Sequence, residues 1–429
     1  MKLSLEQRGS AALAGAIALI YAPALRSPVI YDDASHVRDN PAFRLPFGEF
    51  LSGLFSRDYF SFANERTYQP LVTLFHYATH DQPLLYRAFG LSLHFLNAVL
   101  LYRVALALNA GRRPAIFAAI LFAVFPASTE LLNFSSFKGH LFAATCILAV
   151  LLSVIRYCAD TKKTTLPLNL FIFLILGLFS KESALVAVPL SLTYIALFAR
   201  PDLPRLRRLA APVALICAAY FVFRFAVLSP PRAFPRTFDY SALESFAFYL
   251  RTLAVPYPLC LERTMPLGPW WIVWLALFAG LAVLLRRSKE SLFALAWIPV
   301  ALLPFLHLIP FSNVSPVADR YLYLPAAGLC LLLARLPVPV PVLVCLAVLW
   351  SGISVSRNMT YRSTRALFEQ TASCAPRNAR AQFLLGMICF QEKDYPAARA
   401  AYQRVLALTE SSGARAALAD IERAEKAAR

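Results

Sequence analysis

Two adjacent carboxylates, Asp32 and Asp33, follow the first long apolar run of the chain. A carboxylate at the mouth of a membrane cavity can take a proton from an incoming hydroxyl group, and a neighbouring acid or cation tunes its pKa for that task. The pair therefore indicates general-base chemistry, with Asp32 and Asp33 as candidate catalytic residues. The alternative is structural, since aspartate also caps the start of helices.

Basic residues stand at three other points predicted for the same face of the membrane. Cations grouped on one face can hold a phosphate, because charge-assisted hydrogen bonds stabilise a leaving group that gains negative charge. Taken alone, each cation is typical of an interfacial anchor. Together with the aspartate pair they indicate a phosphate site. The residues concerned are Lys138, the pair Lys181-Glu182 and the run Asp319-Arg320-Tyr321.

Cofactor motifs are weakly represented in the sequence. His76, His80 and Asp81 have a spacing that could hold zinc on a helix, but no further ligand accompanies them. The sequence contains neither a P-loop nor a GxGxxG motif, so soluble nucleotide-sugar or ATP chemistry has no support. We predict no metal site, and no cofactor is indicated by these motifs.

The composition indicates a membrane protein. Hydrophobic residues make up 59% of the 429 residues, whereas a soluble protein of this size has about 45–50%. The formal net charge of +18 arises from short basic clusters between apolar runs. Such clusters are typical of membrane topology signals and not of a nucleic-acid surface, so no nucleic-acid partner is expected.

Apolar runs long enough for a spanning helix, about 20 residues, recur along most of the chain. They predict an all-α polytopic fold with about eleven spans. Pro337, Pro339 and Pro341 on alternate positions would strain a helix and predict a turn between the last two spans. The predicted spans are 9–25, 84–108, 113–130, 139–157, 165–180, 183–199, 209–228, 268–285, 291–309, 321–336 and 338–355.

Alternate loops between these runs are rich in Lys and Arg, which predicts that they are cytoplasmic. The N-terminus is then cytoplasmic and, with an odd number of spans, the C-terminus is extracytoplasmic. Amphipathic segments at 47–55 and 241–259 predict helices along the interface or packed on the bundle. The basic loops are 111–113, 161–163, 200–208 and 286–289, and the long outer loops are 26–83 and 229–268.

The tail from residue 357 to residue 429 follows the transmembrane domain, residues 1–356, and has the pattern of a tetratricopeptide repeat (TPR). Leu385-Gly386, Ala398 and Tyr402 stand at the offsets of the repeat. One and a half repeats bury little core, so the module is expected to dock on the membrane domain or on a partner. Cys374 and Cys389 either pair in an oxidising compartment or pack as separate buried thiols.

Six short motifs follow one another along the chain: Tyr31-Asp32-Asp33, Tyr68-Gln69-Pro70-Leu71, His94 with Asn97, Pro126 with Glu130, Ser180-Lys181-Glu182, and Asp319-Arg320-Tyr321-Leu322-Tyr323-Leu324-Pro325. In this order, and followed by the repeat, they resemble the motifs of the transmembrane and tetratricopeptide-repeat O-mannosyltransferases and their bacterial relatives. Each motif is short, but the resemblance covers almost the whole chain.

The resemblance implies a GT-C glycosyltransferase fold, in which a polyprenyl-phosphate sugar in the outer leaflet donates to a hydroxyl group with inversion. The first Asp of the acidic pair is the base in the related enzymes. That position is matched by Asp32, and Asp33 would orient or tune it. Lys138 stands where relatives have Arg and lacks the guanidinium fork. Phe125 and Gln69 also depart from the His and Arg of relatives, which leaves the exact donor open.

We therefore expect a membrane glycosyltransferase that moves a mannose-like sugar to a Ser or Thr hydroxyl of an extracytoplasmic protein. The alternatives are a catalytically silent scaffold whose TPR module binds partners, and a GT-C enzyme that acts on a lipid or glycan acceptor. The single clear repeat favours the compact bacterial members, and hence the bacterial inner membrane, with membrane lipids as neighbours. Lys138, Arg320 and Lys181 are predicted to bind the donor phosphate, supported by Glu130, Glu182, Asp319, Tyr321 and His94.

Overall fold

The computed structural model describes residues 5–54, 68–160, 165–199, 203–227, 242–263, 268–308 and 317–427. Within these ranges the regular elements are helices. The α-helices, in chain order, are α1 (Leu5–Leu25), α2 (Phe47–Leu54), α3 (Pro70–Thr79), α4 (Pro83–Ala107), α5 (Arg112–Ala123), α6 (Ser128–Asn133), α7 (Lys138–Ala159), α8 (Leu168–Ser180), α9 (Ala187–Phe198), α10 (Leu203–Val227), α11 (Ala242–Ala254), α12 (Trp271–Leu285), α13 (Lys289–Leu302), α14 (Tyr323–Arg335), α15 (Val340–Met359), α16 (Thr364–Cys374), α17 (Ala379–Gln391), α18 (Tyr395–Leu408) and α19 (Ser412–Ala427).

A helix lies in each of the eleven predicted apolar runs. Among the residues that the structure describes, five helical stretches are long and apolar enough to cross a membrane, and they are Pro83–Ala107, Lys138–Ala159, Leu203–Ala226, Gly268–Leu285 and Val340–Arg362. The other helices in these runs are shorter, so the count of eleven spans stays a prediction. The expected turn at the alternating prolines is confirmed, because α14 ends at Arg335 and α15 begins at Val340.

The predicted run 113–130 is divided into two helices. The longer one, α5, ends at Ala123, and the short α6 begins at Ser128. Pro126 lies between them, and a proline in a continuous helix would remove one hydrogen bond and clash with the preceding turn. The Thr129 hydroxyl donates to the Pro126 carbonyl at 2.7 Å, which closes the turn. Glu130 consequently projects from a separate short helix.

Burial divides the bundle into a centre and a periphery. In the most apolar stretch of α7, 83% of the residues are buried inside the protein. The corresponding fraction is 11% in α10 and zero in α12. α7 packs against α4, α8 and α9. α7 is therefore the central helix, and the exposed apolar faces of α10 and α12 are suited to lipid.

Polar side chains join three helices inside this core. The Asn97 amide donates to the Leu141 carbonyl at 3.0 Å and to the Tyr323 hydroxyl at 3.1 Å. The Thr145 hydroxyl donates to the Asn97 oxygen at 2.7 Å. Because unsatisfied polar groups are costly in an apolar interior, such a network fixes how α4, α7 and α14 cross.

The C-terminal module, defined as α16 to α19, is a stack of helices in which successive helices pack together. Side chains cap three of these helices: Ser363 accepts from Ala366 N–H, Asn378 from Ala381 N–H and Asp394 from Ala397 N–H. Gly386 of α17 lies so close to the Tyr402 ring of α18 that a Cβ there would be 2.9 Å from it. The predicted helical hairpin is thus present, and its identity as a TPR stays a prediction.

The module lies against the outer loops of the transmembrane domain. Phe368, Leu385 and Tyr402 share one buried apolar cluster with Ile30 and Phe134. Cys374 is bonded to Cys260 of the second outer loop, and Cys389 is a buried free thiol. Both alternatives are therefore wrong for Cys374, which is neither paired with Cys389 nor a separate thiol, because it faces the loop and not the adjacent helix. Cys389 alone is a separate buried thiol, as one alternative expected.

Contacts between the ends of helices join segments that the alternation of basic loops assigns to the same side of the membrane. On the face predicted to be cytoplasmic, the Arg335 guanidinium donates to the Leu108 carbonyl at 2.5 Å. The Arg205 guanidinium donates to the Asp160 carbonyl at 2.6 Å on the same face. On the other face, the Arg320 guanidinium donates to the Glu130 carboxylate at 3.0 Å. Segments assigned to one side thus meet one another.

Reporter fusions test the orientation of this arrangement. A reporter fused after Arg113 should be cytoplasmic, and one fused after Arg429 should be extracytoplasmic, because the basic loops set the topology. The measurement is the paired activity of a reporter that works only inside and one that works only outside. Fusions that report the same side at both positions would show that the span count is wrong by one.

Candidate active site

Asp33 is a buried anchor for the first outer loop. Its two carboxylate oxygens accept the Ser135 N–H at 2.8 and 2.7 Å, and one of them accepts the Ser136 N–H at 2.9 Å. Burial raises the pKa of Asp33, while these N–H groups and the charge of Lys138 act in the opposite sense. Asp33 precedes a π-helix but makes no side-chain cap hydrogen bond, so the helix-cap interpretation does not hold for it.

Asp32, in contrast, is only partly buried. Its backbone carbonyl lies 2.8 Å from His36 Nδ1 and accepts the Ser35 hydroxyl at 3.3 Å. The side chain is close enough to Arg320 for the two charges to interact. The acidic pair therefore consists of one anchored carboxylate and one partly exposed carboxylate within electrostatic range of a cation.

Arg320, just before α14, is held in place by Glu130, an almost completely buried acid. Its guanidinium donates to Glu130 Oε1 at 3.0 Å, and the Glu130 side chain is only 2% exposed. The guanidinium also lies over the Phe137 ring, 4.7 Å from its centroid. Burial lowers the pKa of Arg320, but Tyr321, Glu130 and Asp32 raise it by more. Arg320 therefore stays charged.

Asp319 does not face the site and instead holds the second outer loop. It accepts Arg263 Nε at 2.8 Å, Arg263 Nη2 at 3.0 Å and the Cys260 N–H at 2.6 Å. Both side chains of the Asp319–Arg263 ion pair are buried. The expected supporting role of Asp319 thus has a physical basis, because this pair fixes the backbone directly before Arg320.

Tyr321, His140 and Lys181 extend the site towards α8. The Tyr321 ring stacks on Phe305 at a centroid distance of 3.9 Å and lies 5.7 Å from the His140 ring. Lys181 and Arg320 both lie close enough to His140 for their charges to act on its imidazole. Glu182 forms an ion pair with Arg224 of α10 and therefore braces the bundle.

Lys138, unlike Arg320, is not an exposed cation in the site. Its ammonium group is fully buried and donates to the Leu131 and Leu132 carbonyls, both at 2.9 Å. A cation is favourable at the carbonyl end of a helix, so Lys138 stabilises the end of α6. Its predicted contact with a donor phosphate would require these two hydrogen bonds to open.

His94 lies within the helix bundle, away from these groups. One ring nitrogen is 2.8 Å from the Tyr323 hydroxyl, and the other is 2.9 Å from the Ala123 carbonyl. The ring also packs edge-on against Tyr21. Both nitrogens are thus used in packing α4 against α5 and α14.

Four charged residues near the site were missed in the sequence. Arg263 pairs with Asp319, and Arg380 of α17 contacts Glu262 of the second outer loop at 3.2 Å. In the outer part of α4, Nε and Nη2 of the buried Arg87 have no hydrogen-bond partner. Only Arg87 had a signal that could have been used, because a charge near the start of an apolar helix is costly unless it has a function.

In the described part of the chain, no three His, Cys, Asp or Glu side chains come together as a metal site would require. His80 instead forms a contact with Asp81 at 3.1 Å. Burial lowers the pKa of His76 to about 3, so its imidazole is neutral at physiological pH.

Asp33→Asn should destabilise the protein, because an amide supplies only one acceptor oxygen and turns an N–H group towards the Ser135 and Ser136 N–H donors. We expect a loss of about 1.5–3 kcal/mol, the usual contribution of hydrogen bonds to a charged group. Thermal unfolding in detergent, followed by tryptophan fluorescence, measures it. Asp39→Asn is the matched control, since Asp39 is about half exposed and its ion pair is with the neighbouring Arg38. Equal unfolding temperatures for the two variants would contradict the anchor role.

Comparison with known proteins gives one match. The chain is 23% identical over 412 residues to a protein O-mannosyl-transferase of Caenorhabditis elegans, with 86% of this chain and 58% of the relative covered. It thus spans a little over half the length of the curated relative that it matches. No protein-family model and no solved structure matches the chain. Over most of its length, the protein is therefore similar to a protein O-mannosyl-transferase.

Proposed function

We propose that this protein is a membrane glycosyltransferase that moves a mannose-like sugar from a polyprenyl-phosphate donor to a Ser or Thr hydroxyl of an extracytoplasmic protein, with inversion. The observation that carries the proposal is the partly exposed Asp32 carboxylate, whose charge interacts with that of Arg320, the guanidinium that Glu130 holds in place. A base and a fixed cation within electrostatic reach of each other are the two groups that this reaction needs.

In the proposed reaction, Asp32 accepts the proton of the acceptor hydroxyl. The acceptor oxygen then forms a bond to the anomeric carbon on the face opposite the leaving group, and the bond from that carbon to the phosphate oxygen breaks. The lipid phosphate leaves with the electron pair and one more negative charge. Asp32 therefore belongs on the acceptor side, and the cations belong on the phosphate side.

Arg320 is the best-placed cation for the leaving phosphate. Its partner Glu130 occupies one edge of the guanidinium, and a planar guanidinium can bind a second anion through its other N–H groups. Arg87 is a further candidate, because two of its buried nitrogens have no hydrogen-bond partner. Lys181 and Lys138 remain predicted phosphate ligands, and Lys138 is the less accessible of the two.

The match to a protein O-mannosyl-transferase supports a protein as the acceptor. A lipid or glycan acceptor is the alternative within the same reaction class. A silent scaffold that binds partners through the C-terminal module is the alternative outside it. We place the protein in a bacterial inner membrane, with the module on the extracytoplasmic side, on the basis of the loop charges and the compact repeat.

Asp32→Asn should retain the shape of the site and lose its basicity, so transfer should fall by at least about 100-fold. The assay uses purified protein in lipid nanodiscs, labelled polyprenyl-phosphate mannose and a Ser/Thr-rich peptide. Donor binding should survive, since Asp32 faces the acceptor. Asp39→Asn, in the same loop, should transfer at the wild-type rate.

Two outcomes of this assay contradict the proposal in different ways. Wild-type rates in Asp32→Asn, with a large loss in a folded Asp33→Asn, would exchange the roles within the acidic pair. No transfer by the wild-type protein from any lipid-linked sugar, with partner binding by the tail intact, would favour the scaffold.

Removing the Arg320 guanidinium should weaken donor binding. Arg320→Ala alone would leave the buried Glu130 charge unpaired, so the comparison is Glu130→Gln/Arg320→Ala against Glu130→Gln. Loss of a charge-assisted contact of about 1.5–3 kcal/mol predicts roughly 10- to 150-fold weaker binding. Equilibrium binding of the sugar-free polyprenyl phosphate measures it. Equal affinities in the two proteins would exclude Arg320 as a phosphate ligand.

A further inference from the structure

Tyr31, the residue directly before Asp32, has an unusual backbone conformation. Its φ is +49°, which lies in the left-handed region that a bulky non-glycine residue rarely adopts. Residues in such conformations cost free energy and persist only where the surrounding structure holds them. In this turn, the Asp33 N–H donates to the Ile30 carbonyl at 3.1 Å, and the Ala34 N–H donates to the Tyr31 carbonyl at 3.0 Å. The direction of the Asp32 side chain therefore depends on what holds Tyr31.

The Tyr31 side chain is held by two segments distant in sequence. Its hydroxyl donates to Glu262 Oε1 at 3.0 Å and accepts Arg380 Nη2 at 3.2 Å, while Arg380 Nε donates to the same Glu262 oxygen at 3.2 Å. The three groups form a closed triangle. The Tyr31 ring packs edge-on against Phe134 at 6.5 Å and Phe368 at 5.1 Å between centroids. Arg380 and Phe368 belong to the C-terminal module.

The module has an independent attachment to the loop that supplies Glu262. Cys374 is bonded to Cys260, and the Gln370 amide donates to the Leu259 carbonyl at 2.6 Å. Loss of the Arg380 side chain would therefore not by itself release the module. The contribution of the Tyr31–Glu262–Arg380 triangle can thus be separated from docking as a whole.

We propose that Tyr31 is a positioning residue for Asp32 and that the C-terminal module, through Arg380, is part of the machinery that orients the base. This proposal rests on the proposed function. A base must lie within hydrogen-bond reach of the hydroxyl that it deprotonates, and a misplacement of about 1 Å lowers rates by up to about 100-fold. The module thus contributes to the chemical step in addition to any acceptor binding.

The test uses the full-length protein in nanodiscs with Tyr31→Phe, which removes only the hydroxyl, Arg380→Ala, and Arg380→Lys. Arg377→Ala, an exposed arginine of the same module, is the matched control. We expect kcat to fall by about 10- to 100-fold in Tyr31→Phe and Arg380→Ala, with the KM for the lipid-linked donor unchanged. Arg380→Lys should recover part of the loss, and Arg377→Ala should match the wild type.

Hydrogen exchange supplies a readout that does not need activity. The peptide covering residues 29–38 should exchange at least about tenfold faster in Tyr31→Phe and Arg380→Ala than in the wild type, since the turn is then less restrained. The Cys260–Cys374 bond, checked by non-reducing peptide mapping, should remain. Its retention shows that the module is still attached.

The outcomes separate the two proposals. Unchanged exchange in residues 29–38 overturns the positioning role, whatever the activity. Faster exchange with an unchanged kcat also overturns it and leaves the triangle as a docking contact only. A wild-type protein that transfers no lipid-linked sugar overturns the proposed function, and this inference falls with it.

Discussion

A carboxylate removed from water must be met by hydrogen-bond donors or by an opposite charge, and two aspartates on the outer face meet this demand in the same way. Asp33 and Asp319 each accept backbone N–H groups from a distant segment. In each case the adjacent residue, Asp32 or Arg320, is the group suited to chemistry. The buried aspartates thus act as anchors, and the groups proposed to react take their positions from them.

The types of residue in the site could be predicted from the sequence, but the division of roles could not. Charges next to apolar runs are costly and therefore informative, which is why the sequence predicts Asp32, Asp33 and Arg320 as candidates. Which aspartate is buried depends on a segment that returns to it from 102 residues further along the chain. The position of Lys138 depends on the short helix α6, which exists because Pro126 interrupts the apolar run. The spacing of residues along the sequence predicts neither which aspartate is buried nor where Lys138 lies.

The fold shows the same division between local and long-range information. Helices in the apolar runs follow from local composition, and the caps of the C-terminal module follow from local residue types. The docking of that module does not, because it depends on a bond between cysteines separated by 114 residues and on Arg380 reaching Tyr31. In the sequence, Arg380 cannot be distinguished from other surface arginines of the module, because its partner Glu262 belongs to the distant second outer loop.

The groups proposed to react lie where helices end and not within them. Asp32 follows α1, Lys181 lies between α8 and α9, and Arg320 precedes α14. In a bilayer, backbone that departs from helical geometry is tolerated only where protein or water satisfies it, so such segments gather at the boundary. Under the proposed function, a polyprenyl phosphate keeps its chain in the hydrocarbon and its phosphate at that same boundary. A site built from helix ends then meets the donor from the membrane side, while the C-terminal module, attached beside Asp32, leaves the acceptor to approach from the aqueous side.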